Sequence, residues 1–195
     1  MEFIKFGAAI EALREAGIDH AIENDHLALI PVPDDHPEEV CYMHLADPSA
    51  GEVVPWNSAR VLACPRESQA DAVESMIGSL HLSQILLLPV GKWRSVFDAV
   101  AFSMAANEDW QAIDQMATVE LNTRDPLLAE PADYHTIHAL IQALFNDAVA
   151  PDQGIIITST ATPFIVEVVP AGALRVMVGS QVLADEVMES LPGVG

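Results

Sequence analysis

Basic residues are scarce in this sequence. It contains eight Lys and Arg residues against 29 Asp and Glu residues in 195 positions, so its formal net charge at pH 7 is −21. Lysine occurs only at Lys5 and Lys92, and the arginines are scattered along the chain. Nucleic acids and anionic lipids are both bound through clustered cations. The composition therefore predicts neither a nucleic-acid partner nor a membrane partner, and it suits a basic protein partner or a cationic ligand. The alternative is that the acidity serves solubility alone.

Cysteine and long apolar runs are also rare. The two cysteines, Cys41 and Cys64, each lie in a short apolar segment, which favours buried thiols in a reducing compartment over a disulfide framework. The longest uncharged stretch, residues 75–91, is interrupted by polar side chains and Pro89 and is too short to cross a bilayer. Residues 1–18 have the pattern of an amphipathic helix rather than of a signal peptide. We therefore expect a cytoplasmic protein.

Common catalytic and cofactor motifs are missing from the sequence. It contains no glycine-rich phosphate loop, no G-x-S-x-G, no H-E-x-x-H and no C-x-x-C. No cofactor is predicted, and an enzymatic function is less favoured than a non-enzymatic one. Because active sites also assemble from residues that are distant in sequence, an enzyme stays open as the alternative.

Hydrophobic periodicity predicts alternating helices and strands. Apolar residues recur at helical spacing over residues 3–17, 68–80, 93–104, 134–148 and 180–191. Short apolar segments between Pro, Gly, Asp and Ser clusters predict strands over 26–30, 40–45, 60–64, 85–88, 154–158, 164–169 and 174–178. A further hairpin is predicted over 116–129.

This order of elements predicts an α+β fold. Connections too short for crossovers favour antiparallel sheets with helices packed on one face. A strand–helix–strand order over 60–90 also fits a right-handed βαβ unit, which would make the sheet mixed. The chain divides into two α-β-β-β-α-like halves, residues 1–82 and 83–195, either as two subdomains or around one shared core.

A first group of metal-ligand side chains lies in residues 34–44. His36, Cys41 and His44 offer nitrogen and sulfur donors beside several carboxylates, and a zinc ion would take its fourth ligand from His20, His26 or water. However, side chains alternate along a strand, which places Cys41 and His44 on opposite faces. The alternative is an exposed acidic turn that leads into a strand with a buried cysteine.

A second group lies at the start of the predicted helix 134–148. His135 and His138 are three residues apart, so they are neighbours on the helix surface, with Asp133 just before them. Such a group can act as acid and base or share a metal ion. Because the apolar face of this helix runs through Ile137 and Ile141, both histidines also fit a boundary or surface position.

Trp56 is the candidate for contact with a partner. Pro55 keeps this segment irregular, so the indole ring fits an exposed position beside a strand edge. Packing of Trp56 in the core is the alternative.

The α-β-β-β-α order in an acidic chain is similar to that of small secretion-chaperone-like folds. This resemblance covers element order only, and it implies a homodimer that holds extended segments of other proteins. The first hypothesis is therefore a non-enzymatic, acidic, protein-binding or chaperone-like module. The alternative is a small enzyme or metal-binding regulator that uses one of the two histidine groups. Convergence of those groups in a concave site would favour the alternative, and an apolar patch or open strand edge would favour the first.

Overall fold

The computed structural model describes residues 1–32, 39–50, 58–170 and 172–191. Within these residues the chain forms ten strands and six helices. The strands are β1 (Glu2–Phe3), β2 (Ile18–Glu23), β3 (His26–Pro31), β4 (Cys41–Ala46), β5 (Arg60–Ala63), β6 (Ile85–Pro89), β7 (Leu127–Ala129), β8 (Ile155–Thr158), β9 (Phe164–Val169) and β10 (Ala173–Val178). The helices are α1 (Phe6–Glu15), α2 (Gln69–Ser79), α3 (Trp93–Val100), α4 (Glu108–Met116), α5 (Tyr134–Asp147) and α6 (Gln181–Ser190).

Eight of the strands form one sheet in the order β1-β7-β6-β8-β9-β10-β4-β5. All neighbouring pairs in this sheet are antiparallel except β4 and β5, which are parallel. The remaining strands, β2 and β3, form a separate antiparallel hairpin. The predicted α+β fold with mostly antiparallel sheets is thus confirmed.

One face of the sheet, here called the helix face, is covered by α2 to α6. Its core contains Leu87, Ile157 and Val166 from the sheet together with side chains from all five helices. Trp93 is fully buried there, and the rings of Phe97 and Trp110 stack with centroids 4.2 Å apart, which joins α3 to α4. This is the larger of the two cores.

The opposite face, here called the hairpin face, is covered by α1 and the β2–β3 hairpin. Leu13 and Leu29 from this second layer pack on Leu88, Ile156 and Ile165 of the sheet. Every residue of β6 is buried, because this strand has a layer on both sides. The continuous apolar sequence of β6 is typical of such a strand.

Local backbone geometry brings the hairpin back over the sheet. Gly17 has φ +78° and ends α1, a conformation that glycine adopts without strain. Asn24 and Asp25 form the two-residue turn between β2 and β3 with φ angles of 50° and 64°. Both angles are those of the mirror-image turn that matches strand twist, and Asn and Asp tolerate them.

Asp125 fixes the start of α1. Its carboxylate accepts hydrogen bonds from the Lys5 ammonium group at 2.8 Å and from the Phe6 N–H at 3.0 Å, and its carbonyl accepts one from the Trp93 indole at 2.8 Å. Burial acts to raise the pKa of Asp125, but the hydrogen bonds and the charge of Lys5 outweigh burial, so the pKa lies below its ordinary value. Asp125 therefore links the second layer to the α3 side of the protein.

The structure corrects several sequence-based expectations. Helices do not all share one face, because α1 joins the hairpin on the other side. Strand β2 was not predicted, and residues 120–122 form a 3-10 turn with Leu121 buried instead of one arm of a hairpin. The parallel pair is β4–β5 rather than a βαβ unit, since β6 pairs with β7 and β8.

Both predicted halves contribute to the same sheet. Strand β1 of the first half pairs with β7, and β4 of the first half pairs with β10. The division at residue 82 stays a prediction as far as independent folding is concerned. Among the described residues, no helix has the length and apolar character needed to cross a membrane.

We predict that Asp125→Asn lowers the free energy of unfolding by about 1–2 kcal/mol, because it removes a charged hydrogen-bond acceptor that is largely buried. The stabilisation from a carboxyl group with a lowered pKa is present above its unfolded-state pKa and is lost as pH falls through the folded-state value. The variant should therefore lose less stability than the parent below about pH 4. Urea titrations followed by tryptophan fluorescence measure both effects. Asp114→Asn, an exposed change on α4, is the control, and equal losses for the two variants would contradict the role of Asp125.

Candidate functional site

A groove lies between the hairpin and the hairpin face of the sheet, and it is here called the hairpin groove. Its volume is about 640 Å³, which is within the range of ligand-binding clefts. Ile156, Ile165 and Met177 form its floor, and Ala28 and Ile30 stand on its hairpin wall. Most of the lining residues are apolar, but the floor side chains are buried and polar atoms make up nearly half of the accessible lining, while Ile30 is 44% exposed. The second layer thus leaves part of the hairpin face open.

An ion pair crosses the floor of the groove. Glu167 on β9 and Arg175 on β10 are directly opposite in the strand register. The Arg175 Nη1 lies 3.4 Å and 3.3 Å from the two carboxylate oxygens of Glu167. Both side chains are partly buried within an otherwise apolar stretch of the sheet. The pair supplies fixed polar groups on an apolar floor.

His44 continues this row of polar side chains onto β4. It is opposite Arg175 in the register and only 7% exposed. Its Nδ1 has no hydrogen-bond partner among the described residues. Burial, and then the positive charge of Arg175, lower the pKa of His44 below its ordinary value. His44 is therefore a neutral imidazole at pH 7.

The tip of the hairpin is held by two cations. Arg124 Nη2 donates to the Asp25 carboxylate at 2.7 Å and to the Asp25 carbonyl, and Lys92 Nζ lies 3.9 Å from the other carboxylate oxygen. The hydrogen bond from Arg124, its charge and the charge of Lys92 lower the pKa of Asp25. These ion pairs of Asp25 with Arg124 and Lys92 fix the hairpin wall of the groove relative to the sheet.

Most of the few cations of this protein are in ion pairs with its own carboxylates. Within the described residues, five of the eight Lys and Arg side chains form such pairs, namely Lys5, Arg14, Lys92, Arg124 and Arg175. Arg66 donates to the carbonyl of Phe145. Few cations remain to form a basic surface, which agrees with the expectation that nucleic acid is not a partner. That expectation stays a prediction.

The first predicted ligand group does not converge around β4. The Cys41 thiol lies 3.4 Å from Gln181 Oε1 on α6, on the helix face, whereas His44 lies beside Arg175 on the hairpin face. One ion therefore does not reach both side chains. Burial, and then Asp185 and Glu39, raise the pKa of the Cys41 thiol. His36 lies outside the described residues.

The three residues of the second predicted group, Asp133, His135 and His138, each have a different partner. His135 Nε2 pairs with Asp109 of α4 at 3.0 Å, and His138 Nε2 pairs with Asp71 of α2 at 2.8 Å. Asp133 instead accepts a hydrogen bond from the Glu130 N–H at 2.9 Å. The two histidines thus connect α5 to two different helices and do not share a site with Asp133.

Two further findings concern the predicted sites. In the part of the chain that the structure describes, no group of three His, Cys, Asp or Glu side chains is placed to hold a metal ion. Trp56, the predicted partner contact, lies outside the described residues, so its role stays a prediction.

Sequence analysis missed the hairpin groove. Its signal was present, because the segments that form β9 and β10 are apolar except for Glu167 in the one and Arg175 in the other. A lone charge in an apolar strand has to find a partner when it is buried. The register that places these two residues side by side was not predictable from spacing alone.

We predict that His44→Gln reduces the pH dependence of stability between about pH 7 and about pH 5. A buried histidine with a lowered pKa binds more protons in the unfolded state than in the folded state. The free energy of unfolding therefore decreases as pH falls below the unfolded-state pKa of about 6.5. The variant should lose less unfolding free energy than the parent over this range. His81→Asn is the control, because His81 is exposed and its positive φ of 51° suits Asn. An unchanged slope in His44→Gln would show that His44 is not the titrating group.

The sequence matches no protein-family model, and it matches no curated protein and no solved structure. Inferences about the function of this protein therefore rest on the geometry of its own residues.

Proposed function

We propose that this protein is a non-enzymatic binding module that holds an extended, apolar and basic segment of a partner protein in the hairpin groove. The observation that carries the proposal is the groove itself, an open cleft with an apolar floor on a sheet face that the second layer covers only in part. Clefts with mostly apolar linings and a few fixed polar groups are typical binding sites.

The apolar lining favours a ligand that brings apolar side chains. Ile165 and Met177 at the floor are already buried, and the apolar surface that a ligand could cover belongs to partly or well exposed side chains such as Val169 and Ile30. Removing this surface from water stabilises a complex in proportion to the area that is buried. Because the groove is open to solvent rather than enclosed, we take a segment of a chain as its ligand rather than a fully enclosed small molecule.

The charge of the protein favours a basic segment. The net charge is −21, and five of the cations are already paired with carboxylates of the same chain. Glu23 is exposed at the edge of the groove, while Glu167 lies on its floor. A field of this sign attracts cationic segments and repels acidic ones.

The arrangement of titratable groups supports binding over catalysis. Glu167 is paired with Arg175, and neither His135 nor His138 lines the groove. Glu23 and His26 of the hairpin do line it, and both are exposed. Acid–base catalysis needs a general acid or base within reach of a bound substrate, with a partner that orients it.

A homodimer and a cytoplasmic location are parts of the same proposal. Phe102 is 92% exposed, which makes it the large apolar side chain most suited to a contact between copies. Cys41 and Cys64 are free thiols, as in proteins of a reducing compartment. Native mass spectrometry of the purified chain counts the subunits directly.

We predict that a fluorescent peptide of about ten residues in which Lys and Val alternate binds this protein, and that the matching Glu and Val peptide does not. Fluorescence anisotropy measures both affinities. Glu23→Lys should weaken binding of the Lys and Val peptide by about fivefold, because it places a like charge at the edge of the groove. Glu186→Lys on α6 makes the same change in net charge on the helix side, so it should have a smaller effect.

Salt separates the electrostatic contribution to binding from the contribution of apolar contacts. Addition of about 0.5 M NaCl should weaken the parent complex and reduce the difference between the two variants, because it screens exposed charges. Equal effects of Glu23→Lys and Glu186→Lys would contradict binding in the groove. Equal affinity for the acidic peptide would contradict selection by charge.

A further inference from the structure

We infer that two copies of this chain associate through the outer edge of β5, so that the two sheets join across a twofold axis. This inference rests on the homodimer of the proposed function, and it specifies the surface that forms the dimer. Strand β5 is the last strand at one end of the eight-stranded sheet. The strand at the other end, β1, has two residues only.

Alternate backbone groups of β5 point away from β4. The Cys64 N–H donates to the Ala46 carbonyl at 2.9 Å, and in a parallel pair every second residue of a strand bonds to the neighbouring strand. The backbone groups of Leu62 therefore face β4, whereas the N–H and C=O groups of Val61 and Ala63 point outward. In the part of the chain that the structure describes, these outward groups have no backbone hydrogen-bond partner.

The residues along this edge are exposed. Val61 is 44% exposed and Ala63 is exposed as well, whereas Leu62 between them is buried in the core of the helix face. Since side chains alternate along a strand, Val61 and Ala63 project from the opposite face of the sheet. Unpaired peptide groups beside an exposed valine are a template for another strand. Pro65, which has no N–H, ends this template.

The two ends of β5 differ in charge. Arg60 begins the strand, is exposed, and forms no ion pair among the described residues. Cys64 follows the other end of the strand. Burial, and then the charges of Asp47, Asp71 and Glu67, raise the pKa of the Cys64 thiol, so carboxylates surround this end. Strand β5 is therefore basic where it begins and acidic where it ends.

Antiparallel pairing of two copies brings the opposite ends together. With the twofold axis at Leu62, Val61 of each copy is opposite Ala63 of the other, and their outward N–H and C=O groups exchange hydrogen bonds. Arg60 then lies at the acidic end of the second copy, where Glu67 is exposed. The edge is thus self-complementary in hydrogen bonds and in charge, as a twofold interface requires. This complementarity favours a second copy of the chain over an unrelated strand.

The contact is short, and each copy has a net charge of −21. Stable dimers bury more surface than the pairing of one short strand supplies, and like net charges repel each other. We therefore expect a weak dimer with a dissociation constant in the micromolar range. Sedimentation velocity over a series of protein concentrations measures this constant.

Val61→Pro tests the backbone pairing. Proline removes the outward N–H but leaves the hydrogen bonds to β4, and it is accepted at strand edges. Val61→Thr, the matched control, changes the same side chain and keeps the N–H. We expect the dissociation constant of the dimer to rise about tenfold in Val61→Pro relative to Val61→Thr, because each copy loses one hydrogen bond. Equal constants for two variants with the circular dichroism spectrum of the parent would overturn pairing through this edge.

A charge exchange tests the contact between the opposite ends. Arg60→Glu makes the net charge more negative and Glu67→Lys makes it less negative, but each should weaken the dimer about fivefold, because each brings like charges together. The double variant exchanges the two charges and should dimerise as the parent does. Within one copy the length of β5 separates these two positions by roughly 13 Å, so this recovery reports a contact between copies. Weakening by Arg60→Glu together with strengthening by Glu67→Lys would show an effect of net charge only and would contradict the interface.

Phe102→Ser distinguishes the inference from the proposed homodimer. If this variant dissociates the dimer while the β5 variants leave it unchanged, the copies meet at Phe102, so the β5 interface is wrong and the homodimer stands. If the parent is a monomer at every concentration of the series, the interface and the homodimer are both wrong. Binding of the Lys and Val peptide in the hairpin groove is measured separately and does not depend on either result.

Discussion

The architecture depends on the burial of the central strands from both sides. Leu86 and Leu88 of β6, with Ile156 and Ile165 next to them, would expose an apolar surface if helices covered only the other face of the sheet. The α1 helix and the hairpin supply the missing cover. Burial of these side chains favours the second layer, and ion pairs at its two ends, to Asp125 and to Asp25, fix where it lies.

The same layer produces the groove because it is narrower than the sheet. It covers the apolar side chains of β6, β8 and β9 and reaches Met177 on β10, and a polar row of Glu167, Arg175 and His44 crosses β9, β10 and β4 beside it. The cations that hold the layer in place are drawn from a set of only eight. The scarcity of cations therefore has two effects, because the few that are present hold the wall of the groove and the surroundings of the groove stay acidic.

Local properties of the fold were predictable from the sequence, and long-range ones were not. The periodicity of residues 134–148 predicted α5, and the unbroken apolar run at residues 85–88 predicted the strand β6. Strand β2 has the sequence IDHAIE, whose polar outer positions hide its pattern. The histidines were identified by spacing, but their partners Asp109 and Asp71 lie on other helices. Tertiary contacts of this kind have no signature within a single segment.

The pairing of β4 with β10 has a consequence for the synthesis of the chain. The register joins residues 41–46 to residues 173–178, so β4 lacks one neighbour until about 130 further residues have been made. At typical rates of about 5–20 residues per second, this interval is roughly 7–25 s. During that time β4 has only β5 as a strand partner, and the edge of β4 that pairs with β10 in the folded protein is open. The eight-stranded sheet is thus completed only after residues 173–178 have been made, so its assembly depends on contacts that are distant in sequence.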